Sequence, residues 1–353
     1  MSAQPRLGVL IGGPSREHDV SRASADYALS VLDPNRYTIT PILVTADSMW
    51  QLHSSTQDYQ SGRPTIEFPH AEAVGRLPYL IDAALIMMHG EFGEDGQLQR
   101  ILDQATIPYQ GSGVRASRLA FDKHRSMQVF KRLGLAVPDY TIVNRAQWVS
   151  ARARLIRQII AAYGFPVVVK PNAAGSSIGV KICFSAAQLA EALESASVEY
   201  DQLIVQRFVQ GVELTCGVLE DEQGAFALPP TMIRPREAKF FDYLAKYTPD
   251  ATEEITPAPL SESVSAAVQR AALAAHRALG CRDYSRTDFI LGRNRLWVLE
   301  TNTLPGLTGV SLLPQAAAAI GYDYAALIEH LAQRAFSRPE VVELHTYESG
   351  HYE

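Results

Sequence analysis

The sequence predicts an α/β protein of three consecutive units, and the first unit is predicted to be a doubly wound parallel sheet. Three observations support this. The chain has 353 residues, which is enough for two or three ordinary domains. In the first third, apolar strand patterns alternate with helical patterns, as they do in parallel α/β sheets. Farther on, strand patterns also follow one another directly, which is typical of α+β units.

The first unit, residues 1–111, contains strand patterns at RLGVLIGG, YTITPILVT and DAALIMMHG and helical patterns at SRASADYALSVL and QLQRILDQA. Loops that follow parallel strands lie at the ligand-binding edge of such a sheet. Glu17 follows the first strand and His89 ends the third, so both are expected to line one crevice. The alternatives are a first-turn acid favoured by the helix dipole and an ordinary turn histidine.

The second and third units are predicted to be α+β. The second, residues 112–206, has a helix pattern from about Ser117, strands at PVVVKP and GVKICF, a helix at SAAQLAEALESA and a strand at QLIVQRFV. The third, residues 207–337, has a strand at ELTCGVL, an alanine-rich helix at 261–279, a hairpin at RTDFILGRNRLWVLETN and a helix at about 320–336. Residues 338–353 are expected to be a tail or a final strand.

Composition narrows the function classes. The net charge of −6 argues against general nucleic-acid binding. The chain shows neither a signal-peptide core at its start nor an apolar run that could span a membrane. A cytoplasmic protein with neither nucleic-acid nor membrane partners is therefore expected. The three cysteines are widely spaced and form no metal-binding pattern, so buried free thiols are expected.

A loop rich in glycine and serine, PNAAGSSIGV, occupies residues 171–180 between two strand patterns. Its glycines allow a ligand to approach the backbone closely, and consecutive N–H groups can bind an anion. Ser176 and Ser177 add hydroxyl groups, and Lys170 precedes the loop. The GxxxxGK[ST] order of a P-loop is absent. Phosphate binding and an ordinary hairpin loop both remain open at this point.

The hairpin near the C-terminus carries two carboxylates and an amide. Strand alternation places Glu300 and Asn302 on one face. A three-residue turn would place Asp288 opposite Glu300, whereas a two-residue turn would break that pairing. Oxygen ligands of this kind suit Mg²⁺ bound together with substrate phosphates. The alternative is a solvated polar strand end.

The segment KFFDYLAKY, residues 239–247, has four aromatic residues and two lysines. In a helix, Phe240, Tyr243, Leu244 and Tyr247 would share one face, and on this segment alone core packing is favoured.

Together these motifs resemble the ATP-grasp superfamily, and specifically the D-alanine–D-alanine ligases. The resemblance covers nearly the whole chain, from LIGGPSREHDVS through MMHGEFGEDGQLQ, FDKHRSMQVFKRLG, VVVKPNAAGSSIGV, VQRFVQGVELT and FFDYLAKY to RTDFILG and LETNTLPGLTGVSLLPQAA. It implies three domains, with ATP gripped between the second and third. It also implies a two-step reaction for peptidoglycan precursor synthesis. ATP phosphorylates the carboxylate of one D-alanine, and the amine of a second D-alanine attacks the acyl phosphate.

The resemblance further implies the site residues. For ATP these are Lys123, Lys170, Ser177, Gln206, Arg207, Phe208, Val209 and Glu213. For two Mg²⁺ ions, with Mn²⁺ as an alternative, they are Asp288, Glu300 and Asn302. For the first substrate and the reacting centre they are Glu17, Ser176, Tyr247, His89, Arg286 and the N–H of Gly306. For the second substrate they are Lys246, Ser311, Leu312 and Phe241.

Among the departures from the family pattern, two concern predicted site residues. Gln206 stands where an acid is common. Phe241, in the implied lid at 236–249, stands where peptide-forming members commonly carry tyrosine, and phenylalanine resembles members that accept D-lactate and make an ester. A D-alanine–D-lactate ligase, a natural-product ligase and a nucleotide-binding pseudoenzyme are therefore the alternatives. The pseudoenzyme is disfavoured because no metal ligand or phosphate lysine is lost. The expected partners are small substrates, and a homodimer is also considered.

Overall fold

The computed structural model describes residues 4–175, 178–235 and 252–338. Within these ranges the strands form three sheets of five, four and six strands, one in each predicted unit. None of the described helices is long and apolar enough to cross a bilayer. The three cysteines are buried free thiols, as expected. The predicted lid at 236–249 and the predicted tail, apart from Arg338, lie outside the described residues.

The first sheet has the order β4-β3-β2-β1-β5. Its strands are β1 (Arg6–Gly12), β2 (Thr38–Val44), β3 (Met49–Leu52), β4 (Ile66–Pro69) and β5 (Ala83–Ile86). The three predicted strands pair in parallel, which confirms that part of the prediction. β3 and β4 add an antiparallel edge that the sequence analysis missed. The helices of this unit are α1 (His18–Val31), α2 (Thr56–Gln60), α3 (Ala73–Leu80) and α4 (Gln97–Gln104).

The second sheet is antiparallel, with the order β6-β9-β7-β8. Its strands are β6 (Tyr140–Asn144), β7 (Val167–Pro171), β8 (Lys181–Cys183) and β9 (Gln202–Arg207). The helices that follow β6 and β8, Arg145–Tyr163 and Ala186–Glu199, will be called α7 and α8. Val167 and Val169 belong to the core beneath these helices. Because strand side chains alternate, Val168 and Lys170 face the other way, toward the third unit.

The third sheet has the order β13-β12-β10-β14-β15, and β11 pairs with β10. Its strands are β10 (Val212–Asp221), β11 (Gly224–Ala227), β12 (Thr231–Pro235), β13 (Thr252–Ile255), β14 (Tyr284–Leu291) and β15 (Leu296–Asn302). Helix α9 (Glu262–Leu279) covers it together with α5 (Val114–Phe121) and α6 (Lys123–Arg132). Thus α5 and α6 precede the second sheet in the chain but share a core with the third. The unit boundaries at 112 and 207 stay predictions.

The helix predicted from Ser117 is two helices. Asp122 leaves the helical conformation, with φ −80° and ψ 98°, and its Oδ1 accepts a hydrogen bond of 3.0 Å from Arg125 N–H. A side-chain acceptor at this position satisfies a free N–H of the new helix. The break matters for function because it starts α6 at Lys123.

The last two helices, α10 (Leu312–Ala318) and α11 (Tyr324–Phe336), pack against the first unit. Leu327 and Leu331 of α11 lie in the same core as Leu85 of β5. Asp283, next to β14, reinforces this junction, because its carboxylate accepts hydrogen bonds from Gly111 N–H at 2.6 Å and Arg334 Nε at 2.8 Å. The first and third units therefore share one core, and their loops meet at the site.

Candidate active site

A cleft lies between the second and third sheets and will be called the central cleft. Its lining includes every described residue that was predicted to bind the nucleotide: Lys123, Lys170, Gln206, Arg207, Phe208, Val209 and Glu213. Asp288 and Glu300 also line it, beside apolar residues such as Val168, Ile178, Val180, Ile290 and Leu299. Lys123, Lys170 and Glu300 lie near one another, and this place will be called the charged part; the rest of the lining is mostly apolar and will be called the apolar part.

Two lysines occupy the charged part. Lys123 Nζ lies 3.1 Å from Glu300 Oε2 and donates to the carbonyl oxygen of Ala174 in the glycine–serine loop. The pKa of Lys170 is lowered to about 8, chiefly by burial; the Glu300 carboxylate opposes this effect and the Lys123 ammonium adds to it. Two ammonium groups close together in a buried site repel each other, so the binding of an anion such as a phosphate is favourable there.

The hairpin brings the predicted metal ligands together. Asp288 pairs with Glu300 across the two strands, as expected, but the turn that leads to this pairing is not the one assumed. Leu291 pairs with Leu296, so the turn has four residues and not three, and a β-bulge at Leu299 restores the pairing. A bulge turns two neighbouring residues toward one side, which explains why Leu299 and Glu300 both line the central cleft.

Asp288 is held by three side chains of the third sheet. Its carboxylate accepts hydrogen bonds from Thr215 Oγ1 at 2.6 Å, Arg286 Nε at 3.1 Å and Asn302 Nδ2 at 3.2 Å. Although burial opposes it, the Asp288 carboxylate raises the pKa of Arg286 above its ordinary value. Arg286 is therefore a permanent cation at the centre of the site.

The hairpin set fits a magnesium ion that is shared with a substrate. Within the described ranges, no group of three or more His, Cys, Asp or Glu side chains could hold a metal ion by itself. The hairpin supplies two carboxylates and one amide, and Asn302 can turn its amide oxygen toward the ion. Mg²⁺ is usually bound by one or two carboxylates plus substrate phosphates and water, so this donor set suits it.

Glu17 lies at the other end of the site, before α1, and is 8% exposed. A Cβ atom on Gly90 or on Gly175 would overlap its carboxylate, so Glu17 would have to move if either glycine were replaced, and Gly90 also has a positive φ of 70°. Glu17 thus lies between the loop after β5 and the glycine–serine loop. The Glu17 carboxylate therefore contacts two loops of the site and does not only face the start of α1.

His89 is buried with both ring nitrogens engaged. Nδ1 lies 2.9 Å from the carbonyl oxygen of Leu304, and Nε2 lies 2.9 Å from Ser24 Oγ. A carbonyl oxygen only accepts, so Nδ1 carries the proton and Nε2 accepts from the Ser24 hydroxyl. Burial lowers the pKa of His89, although Glu17 acts against this effect, so the ring is neutral near pH 7. It ties the first unit to the loop after β15.

Glu94 is a site residue that the sequence analysis missed. It is buried, and its oxygens accept hydrogen bonds from the N–H groups of Gly90 and Leu304, each at 2.9 Å. Burial, reinforced by the Glu17 charge, raises the pKa of Glu94 to about 7. The sequence offers only a weak signal, because Glu94 lies in HGEFGEDG among other loop acids. Its burial depends on Leu304, which is 210 residues away.

The loop that follows β15 completes the described part of the site. Ser311 precedes α10, and its Oγ accepts a hydrogen bond from Thr308 N–H at 3.0 Å. A Cβ on Gly306 would lie 3.0 Å from the same Oγ, so Gly306 and Ser311 are neighbours, as the predicted roles require. Leu312 begins α10 and is half-buried. Five predicted residues lie outside the described part of the site: Ser176, Ser177, Phe241, Lys246 and Tyr247.

Comparison with protein-family models matches nearly the whole chain. Residues 6–112 match the D-ala D-ala ligase N-terminus, and residues 129–333 match the D-ala D-ala ligase C-terminus. A D-alanine–D-alanine ligase from Syntrophobacter fumaroxidans is 39% identical over 93% of this chain and 97% of its own length. One from Leptospira biflexa is 36% identical over 90% of this chain and 94% of its own length.

Solved structures agree with these matches. The VanG D-Ala:D-Ser ligase from Enterococcus faecalis has a TM-score of 0.82 at 26% identity, with 94% of this chain and all of that chain covered. The D-alanine–D-alanine ligase from Bacillus anthracis complexed with ATP has a TM-score of 0.72 at 30% identity, with 94% of this chain and 97% of that chain covered. The chain therefore belongs to the D-alanine–D-alanine ligase family and has its ATP-grasp fold.

Proposed function

We propose that this protein joins D-alanine to a second D-alanine with ATP, for peptidoglycan precursor synthesis. One observation carries the proposal. Two buried lysines, the hairpin acids and Arg286 lie in and beside the central cleft, and the buried Glu17 lies across the same glycine–serine loop. Groups for phosphate, metal and an amino-acid ammonium thus converge on one place. A cytoplasmic location and a homodimer stay predictions.

The nucleotide's phosphates bind at Lys123 and Lys170. A bound phosphate adds negative charge beside Lys170, raises the pKa of that lysine and keeps the ammonium form. The base then lies in the apolar part of the central cleft, which places the γ-phosphate toward the hairpin. Asp288, Glu300 and the Asn302 amide oxygen hold Mg²⁺, which neutralises charge on the transferring phosphate when bound.

The first D-alanine is oriented by its ammonium group at Glu17, with Ser176 and Tyr247 as further partners. A charge-assisted hydrogen bond fixes the ammonium and leaves the carboxylate pointed toward the nucleotide. The carboxylate attacks the γ-phosphate, which yields an acyl phosphate and ADP. Neutral His89 holds the Leu304 loop in place without adding charge to the site.

The second D-alanine binds through its carboxylate at Lys246, Ser311 and Leu312. Its amine attacks the acyl phosphate, and negative charge develops on the carbonyl oxygen before phosphate leaves. Arg286 and the Gly306 N–H are preorganised donors for that charge. A lid formed by 236–249 excludes the water that would otherwise hydrolyse the acyl phosphate.

A second candidate function is D-alanine–D-lactate ligation, and Phe241 favours it. Without a tyrosine hydroxyl, the second-substrate pocket is less polar, and entry of an ammonium group into it is costly. D-lactate brings a neutral hydroxyl and avoids that cost. The share of ester should rise as the pH falls, because ammonium then dominates over the free amine of D-alanine.

The test is a product assay with ATP, Mg²⁺ and D-alanine, alone and with equal D-serine or D-lactate. Mass spectrometry should find D-alanyl-D-alanine, with ADP and phosphate released in equal amounts. AMP and pyrophosphate would refute the acyl-phosphate route. Phe241→Tyr should shift products toward the dipeptide, and dipeptide alone from pH about 6 to 8 in the wild type would refute the lactate candidate.

A further inference from the structure

The apolar part of the central cleft has a single neutral polar side chain among its described lining residues, Gln206. The other lining side chains are either apolar or charged. Gln206 is 3% exposed, so its amide is withdrawn from bulk water. A buried amide must find its hydrogen-bond partners inside the protein or on a ligand.

Strand register locates Gln206 relative to the phosphate-binding lysines. Gln206 pairs with Val168 on β7, and Lys170 pairs with Ile204 two residues farther along. Two residues of strand span about 7 Å. The phosphates lie at Lys170, and Gln206 lies toward the apolar part of the cleft, where a planar base fits. The amide is therefore placed to meet a polar edge of the base.

The partner that Gln206 has within the described part of the chain is weak. Its Nε2 lies 3.6 Å from Met127 Sδ on α6. A thioether is a poor acceptor, so a half-turn of the amide exchanges its NH₂ and oxygen at little cost. With the oxygen forward, Gln206 accepts from a 6-amino group. With the NH₂ forward, it donates to a 6-oxo group. A carboxylate at the same place could only accept.

We propose that Gln206 sets the nucleobase preference of this enzyme and admits 6-oxopurine triphosphates, such as ITP, beside ATP. The inference rests on the proposed function, because it takes the central cleft as the nucleotide site. It goes further by deriving, from the two orientations of the Gln206 amide, which nucleobases the central cleft accepts.

The test compares kcat/KM for ATP and for ITP, with D-alanine and Mg²⁺ at pH 8. Four proteins are needed: the wild type, Gln206→Glu, Gln206→Met and Gln128→Glu. Gln128 is exposed on α6, so its substitution adds the same charge outside the cleft. The wild type should use ITP within about a hundredfold of ATP, and Gln206→Glu should raise the ATP:ITP ratio about tenfold through one hydrogen bond gained or lost.

Gln206→Met should lower kcat/KM for both nucleotides by similar factors, because it removes a group that serves both. Gln128→Glu should leave the ratio unchanged. Three results would overturn the inference. They are an unchanged ATP:ITP ratio in Gln206→Glu, a loss of kcat/KM confined to ATP in Gln206→Met, and a wild-type kcat/KM for ITP more than about a thousandfold below that for ATP.

Binding of the β,γ-imido analogues of ATP and ITP, measured by calorimetry, separates this inference from the proposed function. If both analogues bind and Gln206→Glu discriminates between them while D-alanine yields no dipeptide, the proposed function fails and the inference stands. If dipeptide forms with ATP and the ITP analogue does not bind, the inference fails and the function stands.

Discussion

The carboxylates at the two ends of the site have different electrostatic environments. At the hairpin end, Asp288 lies against the Arg286 guanidinium and Glu300 lies 3.1 Å from Lys123 Nζ. At the loop end, Glu94 is held by two backbone N–H groups, and its pKa rises to about 7. Burial and the nearby Glu17 charge raise the pKa of Glu94, although its two N–H partners act against this effect. The hairpin carboxylates differ because side-chain cations lie beside them.

This contrast indicates which charged ligand group is expected at each end of the site. At the hairpin end, acids and cations lie together, so this end suits a metal ion that is bound together with phosphates. The loop end gathers Glu17 and Glu94, and the first of these charges raises the pKa of the second. An incoming ammonium relieves that repulsion. This repulsion supports the proposed placement of the first substrate's ammonium group at the loop end.

The largest expected effect comes from breaking the hairpin end. Asp288→Asn removes an anionic ligand and leaves Arg286 without its carboxylate partner. The rate of ADP release should fall by about two to three orders of magnitude, the range for loss of one charge-stabilising group. Glu222→Gln, an exposed acid at the β10–β11 turn, is the control. Wild-type turnover in Asp288→Asn at saturating Mg²⁺ would show that the hairpin acids are only a polar strand end.

The next effect concerns Glu94 and the pH dependence of stability. Its pKa is raised in the folded protein, so between pH 4.5 and about 7 the folded state binds more protons than the unfolded state. Stability therefore falls as the pH rises through this window, by up to about 3 kcal/mol. Glu94→Gln should remove this dependence in urea unfolding measured from pH 5 to 8. Glu91→Gln, an exposed acid in the same loop, should retain it. Parallel pH profiles for the wild type and Glu94→Gln would contradict the raised pKa.

The hairpin shows which features of the site could be predicted from the sequence alone. Alternation was enough to place Glu300 and Asn302 on one face, and the structure confirms that Asp288 lies opposite Glu300. The assumed three-residue turn was wrong, because a four-residue turn and a bulge at Leu299 give the same pairing. A bulge adds one residue to one strand and leaves the hydrophobic pattern almost unchanged, so the pattern could not reveal it.

The loop end was harder to predict because its contacts are non-local. Glu94 is buried by the loop after β15. Helices α5 and α6 precede the second sheet in the chain but pack in the core of the third sheet. Local periodicity carries no signal for such packing. The short edge strands β3 and β4 were missed for a different reason, since four residues give too few repeats to show a pattern.

A smaller effect is expected from Glu17→Gln, which weakens the ionic contact at the loop end. The KM for the first D-alanine should rise about tenfold, because a charge-assisted hydrogen bond becomes a neutral one at a cost of about 1–2 kcal/mol. The KM for ATP should change less. Asp19→Asn is the matched control, because Asp19 is exposed in the first turn of α1 and interacts with the same helix dipole. Equal changes in Glu17→Gln and Asp19→Asn would reduce Glu17 to a helix-start residue.

The smallest effect should come from Ser24→Ala, which tests how the neutral histidine joins the two ends. The Ser24 hydroxyl donates to Nε2 of His89, while Nδ1–H donates to the Leu304 carbonyl. Without the hydroxyl, Nε2 is a buried acceptor that has lost its donor, and the protein should lose about 1–3 kcal/mol of stability.

The ring can recover part of this loss by moving, and the Leu304 loop, which leads to Gly306 and Ser311, would move with it. We therefore expect kcat to fall by less than tenfold and the KM for ATP to stay constant, since the central cleft is untouched. Ser30→Ala, on the exposed side of α1, is the control for helix stability. Nitrogen-15 NMR of labelled histidine should show the Nδ1–H tautomer in the wild type. An Nε2–H signal from His89 would reverse the direction of both hydrogen bonds and remove this link between the two ends.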